Sequence, residues 1–154
     1  MAIKHALVRQ LQGITFVGKT DSSHWIAMDG PADFGGSDAG IRPKELLLLA
    51  LGGCTGSDIA AVLKKKRVVL DGFEMHITAE QRDEHPEVFT RIHIDFVFRG
   101  RGLRAEDVER AIELSETKYC SVSAMLRPAV AITHAYRLEE GLPETVAPSA
   151  SARG

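Results

Sequence analysis

Glu45-Leu-Leu-Leu-Leu-Ala-Leu-Gly-Gly-Cys-Thr-Gly-Ser-Asp58 is the stretch on which the fold turns. Through Ala50 it is apolar nearly all round, and the pattern continues to about Lys66, so it predicts a helix buried on every side. Pro43 suits the first turn of that helix, where a missing N–H costs nothing. Gly52, Gly53 and Gly56 each cost a helix roughly 1 kcal/mol against alanine. Three such residues predict either another backbone passing close by or a bend. The basic run Lys64-Lys-Lys-Arg67 reads as the last turn, its cations complementing the helix dipole.

Upstream, the first thirty residues read as β-structure: Ile14, Phe16 and Gly18 alternate with Thr15, Val17 and Lys19. Trp25-Ile-Ala-Met28 follows a turn-like Thr20-Asp-Ser-Ser23, and residues 29–40 form a Gly/Asp-rich loop of the kind that often carries function. Downstream, Asp71-Gly72 turns the chain into a strand with Phe73, Met75, Ile77 and Ala79 on one face. Glu84-His-Pro86 turns it again into Ile92, Ile94, Phe96 and Phe98. A second helix is predicted over Ala105–Lys118, with Glu106-Asp107 in its first turn. Ser121 is the expected N-cap of a short third helix that must stop before Pro128. Val130, Ile132, His134 and Tyr136 make a last strand. From Glu139 onward Pro, Ala and Ser prevail without a pattern. The expected organisation is therefore one domain over residues 1–138 and a disordered tail over 139–154. The fold class is α+β, with mostly antiparallel pairing.

The 154-residue chain carries a formal charge of -2, so it offers no basic excess for neutralising nucleic-acid phosphates. The N-terminus lacks a charged segment followed by an apolar block, and the apolar run Leu46–Leu51 falls short of the ~20 residues that span a bilayer. Neither a nucleic-acid nor a membrane partner is expected, and a cytoplasmic location is. His76, His93 and His134 fall on strands without metal-site spacing, and Gly53-Cys-Thr-Gly-Ser57 lacks the Lys-Ser/Thr ending of a phosphate loop. No metal and no cofactor are expected.

The chain has two cysteines, Cys54 in the quoted run and Cys120 in Lys118-Tyr-Cys-Ser-Val-Ser-Ala-Met-Leu126. Two cysteines do not make a disulfide framework of the secreted kind. Cys120 stands just ahead of a helix start, whose positive end would favour its thiolate. Cys54 stands among Gly53, Thr55 and Gly56, small residues that leave its sulfur approachable. Two buried, inert thiols are the plain alternative.

Taken together, the Gly-Gly-Cys-Thr and Tyr-Cys-Ser-Val segments, with the strands around them from about Leu7 to Leu138, resemble the OsmC/Ohr family of thiol peroxidases, and its YhfA-like branch more closely. The resemblance implies antiparallel sheets wrapped around central helices in an intertwined homodimer. It also implies roles. Cys54 would attack the terminal oxygen of an organic hydroperoxide and become a sulfenic acid. Cys120 would resolve that acid to a disulfide, and a dithiol such as a lipoylated protein would reduce it. Phe34, Leu49 and Met125 would help to line an apolar substrate pocket. Glu45 matches the family's catalytic glutamate in Pro-x-Glu-Leu-Leu. Nine positions separate Glu45 from Cys54. At about 100° per residue they face opposite ways on a straight helix. Residues from two subunits meeting at each site would reconcile them. Without that role, Glu45 is a first-turn acid complementing the dipole.

One departure stands out. The Ohr branch pairs its glutamate with an N-terminal arginine, and no arginine occurs here between Arg9 and Arg42. Lys19 is the cation of that hairpin and lacks a bidentate fork; Arg42 and Arg82 are the other candidates. The departure keeps open a rival reading, a non-catalytic binding protein for a small apolar or thiol-reactive ligand.

Overall fold

The computed structural model describes residues 1–141. The chain divides into two compact units, residues 1–50 and residues 51 onward. The first holds a three-stranded antiparallel sheet of β1 (Ala6–Gln12), β2 (Thr15–Thr20) and β3 (Ile26–Met28), in that order. The expected turn at residues 20–23 joins β2 to β3, with Ser23 in the left-handed region at φ 62°.

The loop after β3 is organised by a carboxylate. Asp29 is almost fully buried, and it accepts the Thr15 hydroxyl and the amides of Gly30, Ser37 and Ala39 at 2.7–3.1 Å. Burial works against its charge. The Ala39, Gly30 and Ser37 amides and the Thr15 hydroxyl outweigh burial, and the acid sits below the usual carboxylate range. Gly40 backs onto β3: a Cβ there would lie 2.6 Å from the Ala27 carbonyl oxygen, closer than any side chain allows.

Helix α1 runs unbroken over Leu46–Lys65 behind a 3-10 turn at Pro43–Glu45. Its glycines mark no bend. In the second unit, a Cβ on Gly52 would meet Ile77 Cδ1 at 2.8 Å and one on Gly56 would meet Met75 Cε at 2.6 Å. Side chains of the next strand, not a backbone, occupy the space. Only one stripe of α1 is buried: Leu51, Gly52, Thr55, Gly56, Ile59 and Leu63. Leu47 and Leu49 are exposed. A three-stranded sheet covers one side of a helix, so the burial expected all round is not met within one chain. The helix from Pro43 to Lys65 is long and apolar enough to cross a membrane by length and composition, although its continuous apolar run is short. Glycine, threonine and serine interrupt that run without making the segment polar.

The second sheet has the order β4 (Gly72–Gln81), β5 (Phe89–Arg99), β6 (Ala131–Glu139). β4 pairs antiparallel with β5, and the Phe73 and Phe98 rings stack at 4.6 Å across the ladder. β6 pairs parallel with β5, a departure from the mostly antiparallel expectation. The cause is the helical crossover between them, which brings the chain back to start β6 at the same end as β5. Central strand β5 supplies much of the core through Ile92, Ile94, Phe96, Val97 and Phe98.

In the crossover, α2 (Ala105–Leu114) ends earlier than expected and widens into a π-turn over Ser115–Tyr119. The Cys120 amide closes that turn on the Ser115 carbonyl at 2.9 Å. Helix α3 follows at Ser121–Leu126. The basic run is tied down structurally: Lys66 pairs with Asp107 of α2 at 2.9 Å, and Arg67 ends α1 at φ 60°. Glu139 is still in β6, paired with Arg99 at 2.8 Å, so the expected tail cannot begin there. From residue 142 on, that tail lies outside the described residues.

Candidate active site

Cys54 and Cys120 meet. Cys54 sits in the second turn of the α1 stretch that belongs to the second unit, and Cys120 lies between the π-turn and α3. Their sulfurs and a carboxylate oxygen of Asp58 all lie within 4.8 Å of one another. Positions 54 and 120 are brought together because α1 and the π-turn are fastened side by side: the buried Ser115 hydroxyl donates to Asp58 Oδ2 at 3.2 Å. Both thiols are free.

The two sulfurs have different surroundings. Cys120 is buried, with Thr55 Oγ1 3.4 Å from its Sγ. It is itself the N-cap of α3, its sulfur accepting the Ser123 amide at 3.4 Å. Ser121, the expected cap, instead turns its hydroxyl toward Cys54 Sγ at 4.0 Å. Cys54 is half-buried. The Val122 amide hydrogen-bonds to it and pulls its pKa below that of an ordinary thiol, against its partial burial. Hydrogen bonds from Cys120 and Ser121 pull the same way, and the Asp58 charge opposes them. Burial is the largest influence and pushes the Cys120 thiol up, the neighbouring Cys54 adds to the rise, and the Thr55 and Ser123 hydrogen bonds oppose it without cancelling it.

This reverses one expectation from the sequence. The helix start was expected to favour the Cys120 thiolate, but the Val122 amide serves Cys54 while burial dominates at Cys120. Thiolate character therefore gathers on the more accessible sulfur.

A family model described as OsmC-like protein matches residues 35–135, a span that holds both cysteines. The chain belongs to the OsmC-like family. Among its relatives, Protein YhfA of Escherichia coli K12 is 41% identical over 133 residues, covering 86% of this chain and 96% of that one. A hypothetical protein from Aquifex aeolicus VF5 is 32% identical, with a TM-score of 0.76 over 91% of this chain and all of that one. The organic hydroperoxide resistance protein OhrB of Bacillus subtilis shares the fold alone, at 18% identity and a TM-score of 0.58 over 88% of this chain and 98% of that one.

The remaining residues singled out in this OsmC-like chain are spread along it. Glu45 is exposed at the end of the 3-10 turn that leads into α1. Phe34 lies on a 3-10 turn in the loop after β3, Leu49 in α1 and Met125 in α3, and all three are exposed on the single chain. The candidate cations are engaged: Lys19 lies over the Trp25 ring at 5.2 Å, Arg42 pairs with Asp38 at 2.6 Å, and Arg82 donates to the Pro86 carbonyl at 2.6 Å. The strand histidines have separate partners, Glu74 for His76, Thr133 and Asp95 for His93, and Glu116 for His134.

Sequence reasoning took Thr55 only as a small neighbour of Cys54 and missed Asp58, Ser115, Val122 and Ser123 as parts of the site. One signal was available for Asp58. It stands four positions after Cys54, so a helical reading places both on one face.

Proposed function

We propose that the protein is a thiol peroxidase that reduces organic hydroperoxides. The Cys54 thiolate attacks the terminal peroxide oxygen, the O–O bond breaks, and the alkoxide leaves as the alcohol after taking a proton. Cys54 is then a sulfenic acid. The Cys120 thiol displaces its hydroxyl, which leaves as water, and the sulfurs form a disulfide. An external dithiol, such as a lipoylated protein, returns both to thiols. The observation that carries this reading is the approach of the two sulfurs to within 4.8 Å, with opposite pressures on their ionisation. The disulfide bond itself is about 2 Å, so the two sulfurs approach further when it forms. The name of OhrB, a structural neighbour, supports the substrate class.

The working form in this reading is a homodimer in the cytoplasm. The unburied side of α1, with Leu47 and Leu49, is apolar surface that a second copy would cover. Glu45, Phe34, Leu49 and Met125 then serve a shared pocket, Glu45 as the family's catalytic glutamate.

The deciding experiment is cumene hydroperoxide consumption with dihydrolipoamide, run on wild type and Cys54→Ser. Turnover by wild type and none by Cys54→Ser is the expected result. Equal rates for the two, with peroxide or a thiol-reactive ligand bound but not consumed, would favour the binding-protein reading, which is supported by the lack of a cation among the described residues that shift Cys54.

A further inference from the structure

Asp58 has no part in the peroxide chemistry proposed above, yet its carboxylate belongs to the same cluster as the two sulfurs. We propose that Cys54, Cys120 and Asp58 form a three-ligand site for a thiophilic divalent ion of the zinc class. It draws on the same sulfurs but does not rest on the peroxidase reading.

The donor set fits such an ion. Two thiolates and a carboxylate suit zinc and cadmium and suit magnesium or calcium poorly, since those prefer all-oxygen shells. Zinc–sulfur bonds of about 2.3 Å and zinc–oxygen bonds of about 2.0–2.2 Å put tetrahedral donors roughly 3.5–3.8 Å apart. The three donors here lie within 4.8 Å of one another, so contraction by at most about 1.3 Å brings them onto an ion. Two of them come from adjacent turns of α1, and the third from the segment that Ser115 fastens to it.

The outer shell is also in place. Metal-bound thiolates and carboxylates are held by hydrogen-bond donors behind them. The Val122 amide serves Cys54, Thr55 Oγ1 and the Ser123 amide approach Cys120, and the Ser115 hydroxyl holds Asp58 Oδ2. That leaves the second carboxylate oxygen of Asp58 without a role in the Ser115 contact. With three protein ligands the fourth position is open to water, the arrangement of exchangeable zinc rather than of a closed structural site. Binding moves no electrons: the ion displaces the two thiol protons and forms two metal–sulfur bonds and one metal–oxygen bond. A loaded site and a Cys54–Cys120 disulfide are mutually exclusive, so the ion shields both thiols from oxidation until it is withdrawn.

The test uses untagged, metal-free, reduced full-length protein titrated with Cd²⁺, whose bond to thiolate absorbs in the ultraviolet. The band should saturate at one ion per chain and be competed by Zn²⁺. Cys54→Ser and Cys120→Ser should each lose the two-thiolate band. Asp58→Asn should keep the band but bind tenfold or more weakly, the loss expected when an anionic ligand becomes neutral. Wild type alkylated on Cys54 provides the same test without a substitution, so a variant that fails to fold leaves the question decidable. No band in reduced wild type overturns the site. So does binding that survives alkylation, or an Asp58→Asn affinity equal to that of wild type.

Discussion

The Cys54 and Cys120 sulfurs lie within 4.8 Å of each other, yet their surroundings drive them toward opposite protonation states. The Val122 amide favours the charged form of Cys54, and the burial of Cys120 penalises charge there. A pair of this kind ionises in order: the first proton leaves the accessible sulfur, and the charge left behind then raises the barrier to losing the second. A nucleophile and its partner thiol need that asymmetry.

Stability and reactivity should both register it in metal-free protein. The folded-state pKa of Cys54 is depressed, so its contribution to stability is complete above the ordinary thiol pKa and is lost as pH falls through the depressed value. Cys120 is raised, so its contribution is present below the ordinary thiol pKa and lost as pH rises through the raised value. Iodoacetamide should therefore modify Cys54 with a midpoint below that of a free thiol, and Cys120 last. Thermal melts of Cys54→Ser should fall progressively further below wild type as pH rises toward the ordinary thiol pKa. A Cys54 alkylation midpoint at or above that of free cysteine would contradict the role given to the Val122 amide.

Single substitutions should also separate the two sulfurs chemically. Cys54→Ser should abolish peroxide reduction, because an attacking thiol is needed for any turnover. Cys120→Ser should allow one turnover and then accumulate sulfinic acid on Cys54, because nothing traps the sulfenic acid. Mass spectrometry after successive equivalents of cumene hydroperoxide reads this directly. Added oxygens on Cys120 in Cys54→Ser, at the wild-type rate, would mean the roles are reversed.

Much of this was legible along the chain, and the limits have physical causes. The alternation of Phe73, Met75 and Ile77 against Ile92, Ile94, Phe96 and Phe98 marks β4 and β5, because a period of two survives any register. The parallel placement of β6 is a matter of topology, which its alternating residues do not encode. Pro43 and the run behind it place α1, but hydropathy does not say which of its sides this chain covers. Cys54 and Cys120 declare themselves by rarity and by family resemblance. What tunes them is the Val122 amide and the hydroxyls of Ser121 and Thr55; the Tyr-Cys-Ser-Val and Gly-Gly-Cys-Thr segments contain those residues, but the sequence does not say which group faces which sulfur. Likewise Asp29 looks like one more loop acid until its four donors are seen together.

Asp29 accordingly controls the loop over residues 30–40. Its folded-state pKa is depressed, so the stability it contributes is present above the ordinary aspartate range and is lost as pH falls through the lowered value. On acidification the Ser37 and Ala39 amides should exchange with deuterium faster, relative to their intrinsic rates, before the amides of β5 do. Asp29→Ala should leave those amides fast-exchanging at neutral pH, because a buried cluster of donors loses its acceptor. Equal protection in the variant would show that the loop is held by something else.

The three α1 glycines make a graded test of how the helix packs. Alanine gains each position about 1 kcal/mol of helix propensity, and what the new methyl meets decides the sum. At Gly53 it meets nothing within 4 Å. At Gly56 it meets the end of Met75, whose three rotatable bonds let it move aside. At Gly52 it would lie 2.8 Å from Ile77 Cδ1, the tip of a β-branched chain with few alternatives. Overpacking of that kind costs about 1–3 kcal/mol. For the single chain, urea unfolding should therefore rank Gly53→Ala as stabilised by about 1 kcal/mol, Gly56→Ala near wild type, and Gly52→Ala at or below it. A Gly53→Ala protein that loses stability, with the loss growing on dilution, would place a second copy of the chain against that side of the helix. A loss independent of concentration would mean that the open space beside Gly53 does not exist in solution.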